Sequence, residues 1–132
     1  MDTGFKDTLK TKLACVAIPV YKAELTENEK ISFNRAITVL HLYQIILFCP
    51  NHLNVANYDI EKNEIQVYRF ADHYFNDVNS YSRLLVNSAF YHRFLTYQFI
   101  LIYQLDAYVF KDELAYWCKK NYDYIGAPWI ND

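Results

Sequence analysis

A carboxylate at the end of the most hydrophobic segment is the first candidate for chemistry. Asp106 directly follows the apolar residues 98–105, and a charge beside a buried segment is costly unless it has a partner or a task. Such a carboxylate can hold a ribose hydroxyl, or a divalent cation that neutralises a leaving diphosphate. A turn or helix cap formed by Asp106 is the structural alternative, and the sequence leaves both open.

Two cationic side chains could assist that carboxylate. Arg83 falls near the first turn of the helix predicted before residues 98–105, and its guanidinium can pair with a phosphate through two hydrogen bonds. Lys22 directly follows the first predicted strand. Each can equally be a solvated surface side chain, so neither indicates a phosphate site by itself.

Composition excludes several classes of function. The chain has 132 residues and only two glycines, Gly4 and Gly126, so it contains no glycine-rich phosphate loop, no dinucleotide fingerprint and no G-x-S-x-G elbow. A formal charge of -2 does not favour nucleic-acid binding. The four histidines lack metal-ligand spacing, and Cys118 has no nearby histidine to activate it. These histidines are His41, His52, His73 and His92.

The cysteines and the apolar segments bear on the cellular setting. Three widely spaced cysteines, Cys15, Cys49 and Cys118, form no C-x-x-C pair, which favours reduced, buried thiols in an intracellular, cytoplasmic protein. The apolar run 13–20 is only eight residues long, ends at Pro19 and Val20 and lacks a small-residue cleavage site, so a signal peptide is not favoured. Residues 94–110 are interrupted by polar side chains and fall short of a membrane span. We therefore expect no membrane span.

The order of predicted elements indicates an α/β fold with a mostly parallel sheet flanked by helices. We expect a polar N-terminal arm over residues 1–12 and one domain over residues 13–132, with residues 98–105 at the sheet centre. Thr26 and Glu29 spell a capping box. The predicted strands are 13–20, 44–49, 65–70 and 98–105, and 122–126 is a strand or a turn. The predicted helices are 27–42, one that begins at Asn79 or Ser80 and continues to 95, and 112–120.

In sheets of this kind, ligands bind at the carboxyl ends of the strands. Three segments are expected to meet there: residues 19–22, the loop after Phe70, and residues 106–108. The sequence therefore predicts that Asp106 lies close to the end of the first strand.

Several motifs together resemble a known group of proteins. The segment A-I-P-V-Y at 17–21 resembles the opening strand of GT-A glycosyltransferases, and residues 80–84 and 100–107 resemble the part of those enzymes that ends in the acidic D-x-D motif. More closely, Y-Q-L-D-A-Y-V-F at 103–110 and Y-I-G-A-P-W at 124–129 resemble a DUF5672-like family, a domain of unknown function grouped with glycosyltransferases.

This resemblance implies a Rossmann-like sheet that forms the nucleotide-sugar-binding half of a GT-A fold. It also implies that Pro19, Val20 and Tyr21 line a nucleoside pocket and that Arg83 approaches the nucleotide. Asp106 and Ala107 would occupy the first two positions of D-x-D, where Mn²⁺ or Mg²⁺ is bound. Tyr108 replaces the second acid, so only Asp106 is expected as a metal ligand.

The expected function is therefore a glycosyltransferase-like domain that binds a nucleotide-sugar donor. GT-A domains commonly continue beyond this length, so we expect a domain truncated at its C-terminal end, inactive or weak without an acceptor half, with an unknown acceptor. The alternative is a non-catalytic α/β module that acts through protein contacts, including self-association through an apolar face around residues 125–130. A receiver or flavin-binding module fits the element order but lacks the clustered acids or phosphate loop.

Overall fold

A computed structural model describes residues 10–126 of the chain. The first nine residues of the polar arm and the end of the Y-I-G-A-P-W motif lie outside the described residues. Two short 3-10 helices, Ala56–Tyr58 and Asp72–Phe75, join the other elements. The strands are β1 (Ala14–Pro19), β2 (Gln44–Pro50), β3 (Gln66–Phe70) and β4 (Phe99–Ile102), and the helices are α1 (Glu27–Val39), α2 (Val78–Leu85), α3 (Ser88–His92) and α4 (Leu114–Cys118).

The four strands form one parallel sheet in the order β3-β2-β1-β4. The chain runs outward from β1 through β2 to β3 and then crosses to the other side of β1, where Ala17 pairs with Ile102. Successive strands are therefore added in opposite directions on the two sides of β1, and the switch point lies between β1 and β4. A crevice forms at such a point because the connections from the two neighbouring strands leave in opposite directions.

The core lies on both faces of the sheet, as the near-continuous apolar strands predict. In β1, Val16 and Ile18 pack with α1, whereas Cys15 and Ala17 pack with α2 and α3 on the other face. Each of these four residues is fully buried. The fold is thus an α/β fold with helices on both faces of a parallel sheet.

Helix α1 begins at the predicted capping box. The Thr26 hydroxyl accepts a hydrogen bond from the Glu29 N–H, and the Glu29 carboxylate accepts one from the Thr26 N–H. The helix turns Ser32, Phe33 and Ala36 toward the sheet. This side of α1 therefore faces the sheet and the loops at its carboxyl edge.

The prediction of one helix from Asn79 or Ser80 to residue 95 is wrong. Asp77 is the cap, since its carboxylate accepts the Ser80 N–H at 2.7 Å. Asn87 then caps a second helix by accepting the Ala89 N–H at 2.9 Å. Side chains that bind backbone N–H groups compete with helix continuation, so α2 ends at Leu85 and α3 begins at Ser88.

The prediction that residues 98–105 form the sheet centre is also wrong. β4 comprises only Phe99–Ile102 and lies at an edge, where every residue is half-buried. The centre belongs to β1 and β2, in which nearly every residue is buried. Residues 122–126 form no strand, and α4 is shorter than the predicted helix over 112–120.

Candidate functional site

A cleft of about 510 Å³ opens at the carboxyl edge of the sheet, at the switch point between β1 and β4. We distinguish three walls. The β1 wall comprises residues 19–22 with Leu25 and Glu29, the α2 wall comprises residues 75–78 with Tyr81, and the β4 wall comprises residues 104–106. The volume lies within the range of about 300–1,000 Å³ that is typical of small-molecule sites.

The β1 wall is held by backbone contacts and by one buried tyrosine. The Val20 N–H donates to the Phe48 carbonyl at 3.0 Å, which extends the β1–β2 pairing past Pro19. The Tyr58 hydroxyl donates to the Lys22 carbonyl at 2.5 Å. Between these two anchors, Tyr21 lines the cleft and is 61% exposed, so its ring is accessible to a ligand.

An ion pair links the β1 wall to α1. The Lys22 ammonium lies 2.7 Å from a Glu29 carboxylate oxygen. The same oxygen accepts the hydrogen bond from the Thr26 N–H. The hydrogen bond from Lys22, followed by that from the Thr26 backbone, lowers the pKa of Glu29. The same contact raises the pKa of Lys22. Both charges are thus stabilised, and the Lys22 charge is already partly neutralised.

The β4 wall is a turn over residues 104–107, called here the Asp106 turn. The Ala107 N–H donates to the Gln104 carbonyl at 3.0 Å, which closes the turn with Asp106 at its third position. The Ala107 carbonyl accepts hydrogen bonds from Ser32 of α1 and from the Tyr103 hydroxyl, the latter at 3.2 Å. The Asp106 side chain itself is exposed and lines the cleft.

A second residue of α1 holds the chain beyond the turn. Arg35 donates from Nε to the Val109 carbonyl at 3.0 Å and from Nη2 to the Phe110 carbonyl at 2.8 Å. Its guanidinium also lies 5.5 Å from the centre of the Tyr108 ring. Tyr108, which stands where the second acid of a D-x-D motif would be, therefore contacts α1 and does not line the cleft.

The α2 wall carries a cap and a buried phenol. The hydrogen bond from the Ser80 backbone is the main reason that the pKa of Asp77 is lowered. Burial raises the pKa of Tyr81 to about 12, and the neighbouring Gln104 side chain lowers this pKa by a smaller amount. Among residues 10–126 the buried Tyr81 hydroxyl has no hydrogen-bond partner. At neutral pH this wall therefore offers an anionic Asp77, and Tyr81 is a neutral phenol.

The structure brings four of the predicted site residues together. Pro19, Val20 and Tyr21 line the cleft with Asp106, as the position of the strand ends predicts. Ala107 is the neighbour of Asp106 but contributes its carbonyl to the contacts with α1. The roles of these residues in binding stay predictions.

Arg83 is placed differently from the expectation. It lies in the last turn of α2, is exposed and does not line the cleft. The helix begins at Val78 and ends at Leu85, so the first turn comes earlier than the sequence indicates. The positive charge of Arg83 contributes to the lowered pKa of Asp77, so Arg83 influences the cleft electrostatically without lining it.

Two acidic wall residues are absent from the predicted site. The sequence pattern indicates Glu29 only as part of a capping box and does not indicate Asp77 as a cap. Both do cap helices, and the same positions place their carboxylates in the wall. The sequence could have indicated these two residues. A helix that follows a strand of a parallel sheet begins at the carboxyl edge, so the side chains that cap it lie at that edge.

The metal site that the resemblance implies has too few protein donor groups among residues 10–126. Within this range no group of three or more His, Cys, Asp or Glu side chains could hold a metal ion. The described protein groups therefore do not form a site for Mn²⁺ or Mg²⁺ on their own. Any such ion would need ligand oxygens beside Asp106, as phosphates supply in many Mg²⁺ sites.

The remaining reactive side chains lie away from the cleft. Cys15, Cys49 and Cys118 are buried and unpaired, and burial raises the pKa of Cys15 to about 12. His52 pairs with Asp72 at 2.9 Å, and both are exposed. The prediction that the three cysteines are buried, unpaired thiols is confirmed. The cellular compartment stays a prediction.

One further structural expectation concerns the membrane. In the part of the chain that the structure describes, no helix has the length and apolar character required to span a bilayer.

Comparison with known proteins gives a family but no characterised relative. No curated protein and no solved structure matches the chain. The profile of a family described as "Protein of unknown function (DUF5672)" matches residues 64–132, just over half of the chain, including β3, the α2 wall and the Asp106 turn. The chain belongs to this family, DUF5672.

Proposed function

We propose that the cleft binds the nucleoside diphosphate part of a sugar nucleotide, and that the chain is the donor-binding part of a GT-A-like glycosyltransferase. The observation that carries the proposal is the common location of Asp106 and the end of β1 in one cleft at the switch point. The order β3-β2-β1-β4 is also that of the first four strands of the Rossmann fold, which supports a Rossmann-like interpretation of the sheet.

The β1 wall suits a nucleoside. The exposed Tyr21 ring offers a surface on which a base can stack, and Val20 and Leu25 provide apolar contact beside it. The rigid anchoring of this wall by Phe48 and Tyr58 keeps the ring in place. We therefore assign the base to the β1 wall.

The charges of the cleft limit how a diphosphate can bind. Among residues 10–126, its wall contains one cation, Lys22, and three acids, Glu29, Asp77 and Asp106. Lys22 is paired with Glu29, so a diphosphate gains little from it without displacing the carboxylate. We infer that diphosphate binding depends on a divalent cation shared between Asp106 and the phosphates, and that binding without one is weak.

Isothermal titration calorimetry with UDP, GDP and their sugars tests this proposal. Binding is expected at millimolar ligand, stronger with Mn²⁺ or Mg²⁺, and Asp106→Asn should remove the effect of the metal because it removes the charge and keeps the shape. Asp123→Ala is the matched control, since Asp123 is exposed and outside the cleft. No heat with any ligand, or equal heats for wild type and Asp106→Asn, would contradict the proposal.

A second candidate function is favoured by the exposed aromatic surface after the Asp106 turn. Among the described residues, seven large apolar side chains between residues 108 and 125 are about half exposed or more, and such side chains mark an interaction site where they form one contiguous patch. Sedimentation velocity at low and high concentration tests whether this surface mediates protein contacts. A monomer at every concentration, together with nucleotide binding, would contradict this alternative. The seven exposed apolar side chains of this surface are Tyr108, Phe110, Tyr116, Trp117, Tyr122, Tyr124 and Ile125.

A further inference from the structure

A small polar side chain is buried where α1 meets the Asp106 turn. Ser32 is 3% exposed although it lies on the side of α1 that packs against the core beside Phe33 and Ala36. Burying a hydroxyl is unfavourable unless it is hydrogen-bonded. An alanine would satisfy the helix and the core equally well, so the hydroxyl must be explained by the contacts it makes.

The Ser32 hydroxyl lies in a short chain of hydrogen bonds. It donates to the Ala107 carbonyl and lies 2.8 Å from the Tyr103 hydroxyl. Because the serine proton is used on Ala107, the single tyrosine proton is shared between the serine oxygen and the Ala107 carbonyl as a three-centre hydrogen bond. Tyr103 also lies 3.2 Å from the Ala107 carbonyl. Two buried hydroxyls thus converge on one carbonyl of the Asp106 turn.

The same side of α1 contacts both lips of the cleft, a name used here for the β1 wall and for the Asp106 turn of the β4 wall. Glu29, Ser32 and Arg35 recur every three residues along the helix. Glu29 binds Lys22 of the β1 wall, whereas Ser32 binds Ala107 and Arg35 binds the two carbonyls that follow Tyr108. The separation of the two lips is therefore set by one rigid helix.

We propose that Ser32, supported by Tyr103, is a positioning residue that fixes the Asp106 turn and keeps the Asp106 carboxylate in the cleft. Its effect on ligand binding rests on the function proposed above. Its effect on the turn does not, because that follows from contacts within the protein. A catalytic or binding group must be held to within a fraction of an ångström by neighbouring contacts, and Asp106 makes no such contact through its own exposed side chain to the residues that the structure describes.

The test compares Ser32→Ala with Thr38→Ala in the ligand-free protein and with UDP and Mn²⁺. Thr38 is the matched control, because it lies on α1 and its hydroxyl donates to the Asn34 carbonyl of the same helix, at 2.9 Å. Backbone order parameters from NMR relaxation report the turn. For Ser32→Ala the value at Ala107 should fall from roughly 0.85 to below about 0.6, while values in β1 do not change. Ser32→Thr, which returns the hydroxyl, should restore the wild-type value.

Ligand titration then connects the turn to binding. Ser32→Ala should weaken UDP binding in the presence of Mn²⁺ by roughly tenfold, as loss of an outer contact to a ligand group commonly does. Adding Ser32→Ala to Asp106→Asn should produce no further loss, since the carboxylate is already absent. Thr38→Ala should bind as the wild type does.

The outcomes separate this inference from the proposed function. If the wild type binds no nucleotide, the proposed function fails and the order parameters alone decide the positioning role. An unchanged Ala107, an equal loosening of β1, or a looser turn with unchanged UDP affinity would each overturn it. If Ser32→Ala does not fold, Tyr103→Phe takes its place, with a smaller expected fall at Ala107 because Ser32 still donates. No fall at Ala107 would then overturn the inference.

Discussion

The two lips of the cleft are built on strands of very different burial. On the β1 side, the strand is fully buried from Ala14 to Ile18, and its pairing with β2 continues through the Val20 N–H into the wall. On the β4 side, the strand is four residues long, half-buried and at the sheet edge. The first lip is thus positioned mainly by the sheet, with one ion pair to α1, and the second by side chains of α1.

This difference indicates how a site can be precise on an exposed edge strand. The hydroxyl of Ser32 and the guanidinium of Arg35 reach backbone carbonyls that are about 75 residues away in sequence. They replace the pairing that a longer β4 would have supplied. We expect the β1 lip to depend mainly on core packing and the β4 lip mainly on a few polar contacts.

The largest effect should come from the strands themselves. Ile18→Ala, at a fully buried position in β1, should lower the free energy of unfolding by about 2–5 kcal/mol, because it removes apolar contacts and leaves a cavity. Ile102→Ala in half-buried β4 should cost about half of that or less. Urea unfolding followed by tryptophan fluorescence measures both. Equal losses would show that burial does not distinguish the two strands energetically.

The next effect should come from the tyrosines behind each lip. Tyr58→Phe removes the hydroxyl that donates to the Lys22 carbonyl and should cost about 1 kcal/mol of unfolding free energy. Tyr103→Phe should cost less, because the Ser32 hydroxyl still donates to the Ala107 carbonyl. The same urea experiment applies. A larger loss for Tyr103→Phe would mean that the two hydroxyls on Ala107 are not redundant.

The smallest effect should come from the ion pair on the β1 side. Glu29→Gln keeps the capping box but removes the charge, so it should cost a few tenths of a kcal/mol, up to about 1 kcal/mol, at neutral pH and low salt. The pKa of Glu29 is lowered in the folded protein. Its stabilising contribution is therefore complete above the unfolded pKa, near 4.5, and is lost as the pH falls through the folded value.

The measurement follows unfolding free energy from neutral pH down to about pH 3 for wild type and Glu29→Gln, with the difference expected to shrink on acidification. Glu27→Gln is the control, because Glu27 also lies in the first turn of α1 but is highly exposed and forms a longer ion pair, with Lys30 at 3.5 Å. A difference that grows on acidification, or an equal one for Glu27→Gln, would contradict the role of the Lys22 pair.

Local patterns in the sequence predict much of the fold. The apolar strands β1, β2 and β3, the capping box at Thr26 and the presence of Asp106 near the end of β1 all follow from periodicity and from the geometry of parallel sheets. The position of β4 does not follow, because hydrophobicity indicates that a strand is apolar but does not distinguish a central strand from an edge strand.

The parts of the site that the sequence does not predict depend on long-range contacts or on caps. Arg83 lies away from its expected position because Asp77 and Asn87, both of which cap helices, divide a pattern that looks continuous. The contact of Ser32 with Ala107 joins residues 75 positions apart and leaves no periodic trace. Only the fold brings such residues together, so the sequence indicates the carboxylate and not the group that holds it.

The position of β1 in the middle of the sheet has a consequence for folding. β1 and β2 are close in the chain, whereas Ala14 pairs with Phe99, and closing so long a loop carries an entropic cost that slows pairing. We expect β4 to dock after the β1–β2 unit has formed, so that the cleft is the last part of the molecule to be completed. A ligand that contacts both lips would bind only after β4 has docked, and would therefore raise the population of chains in which β4 is docked.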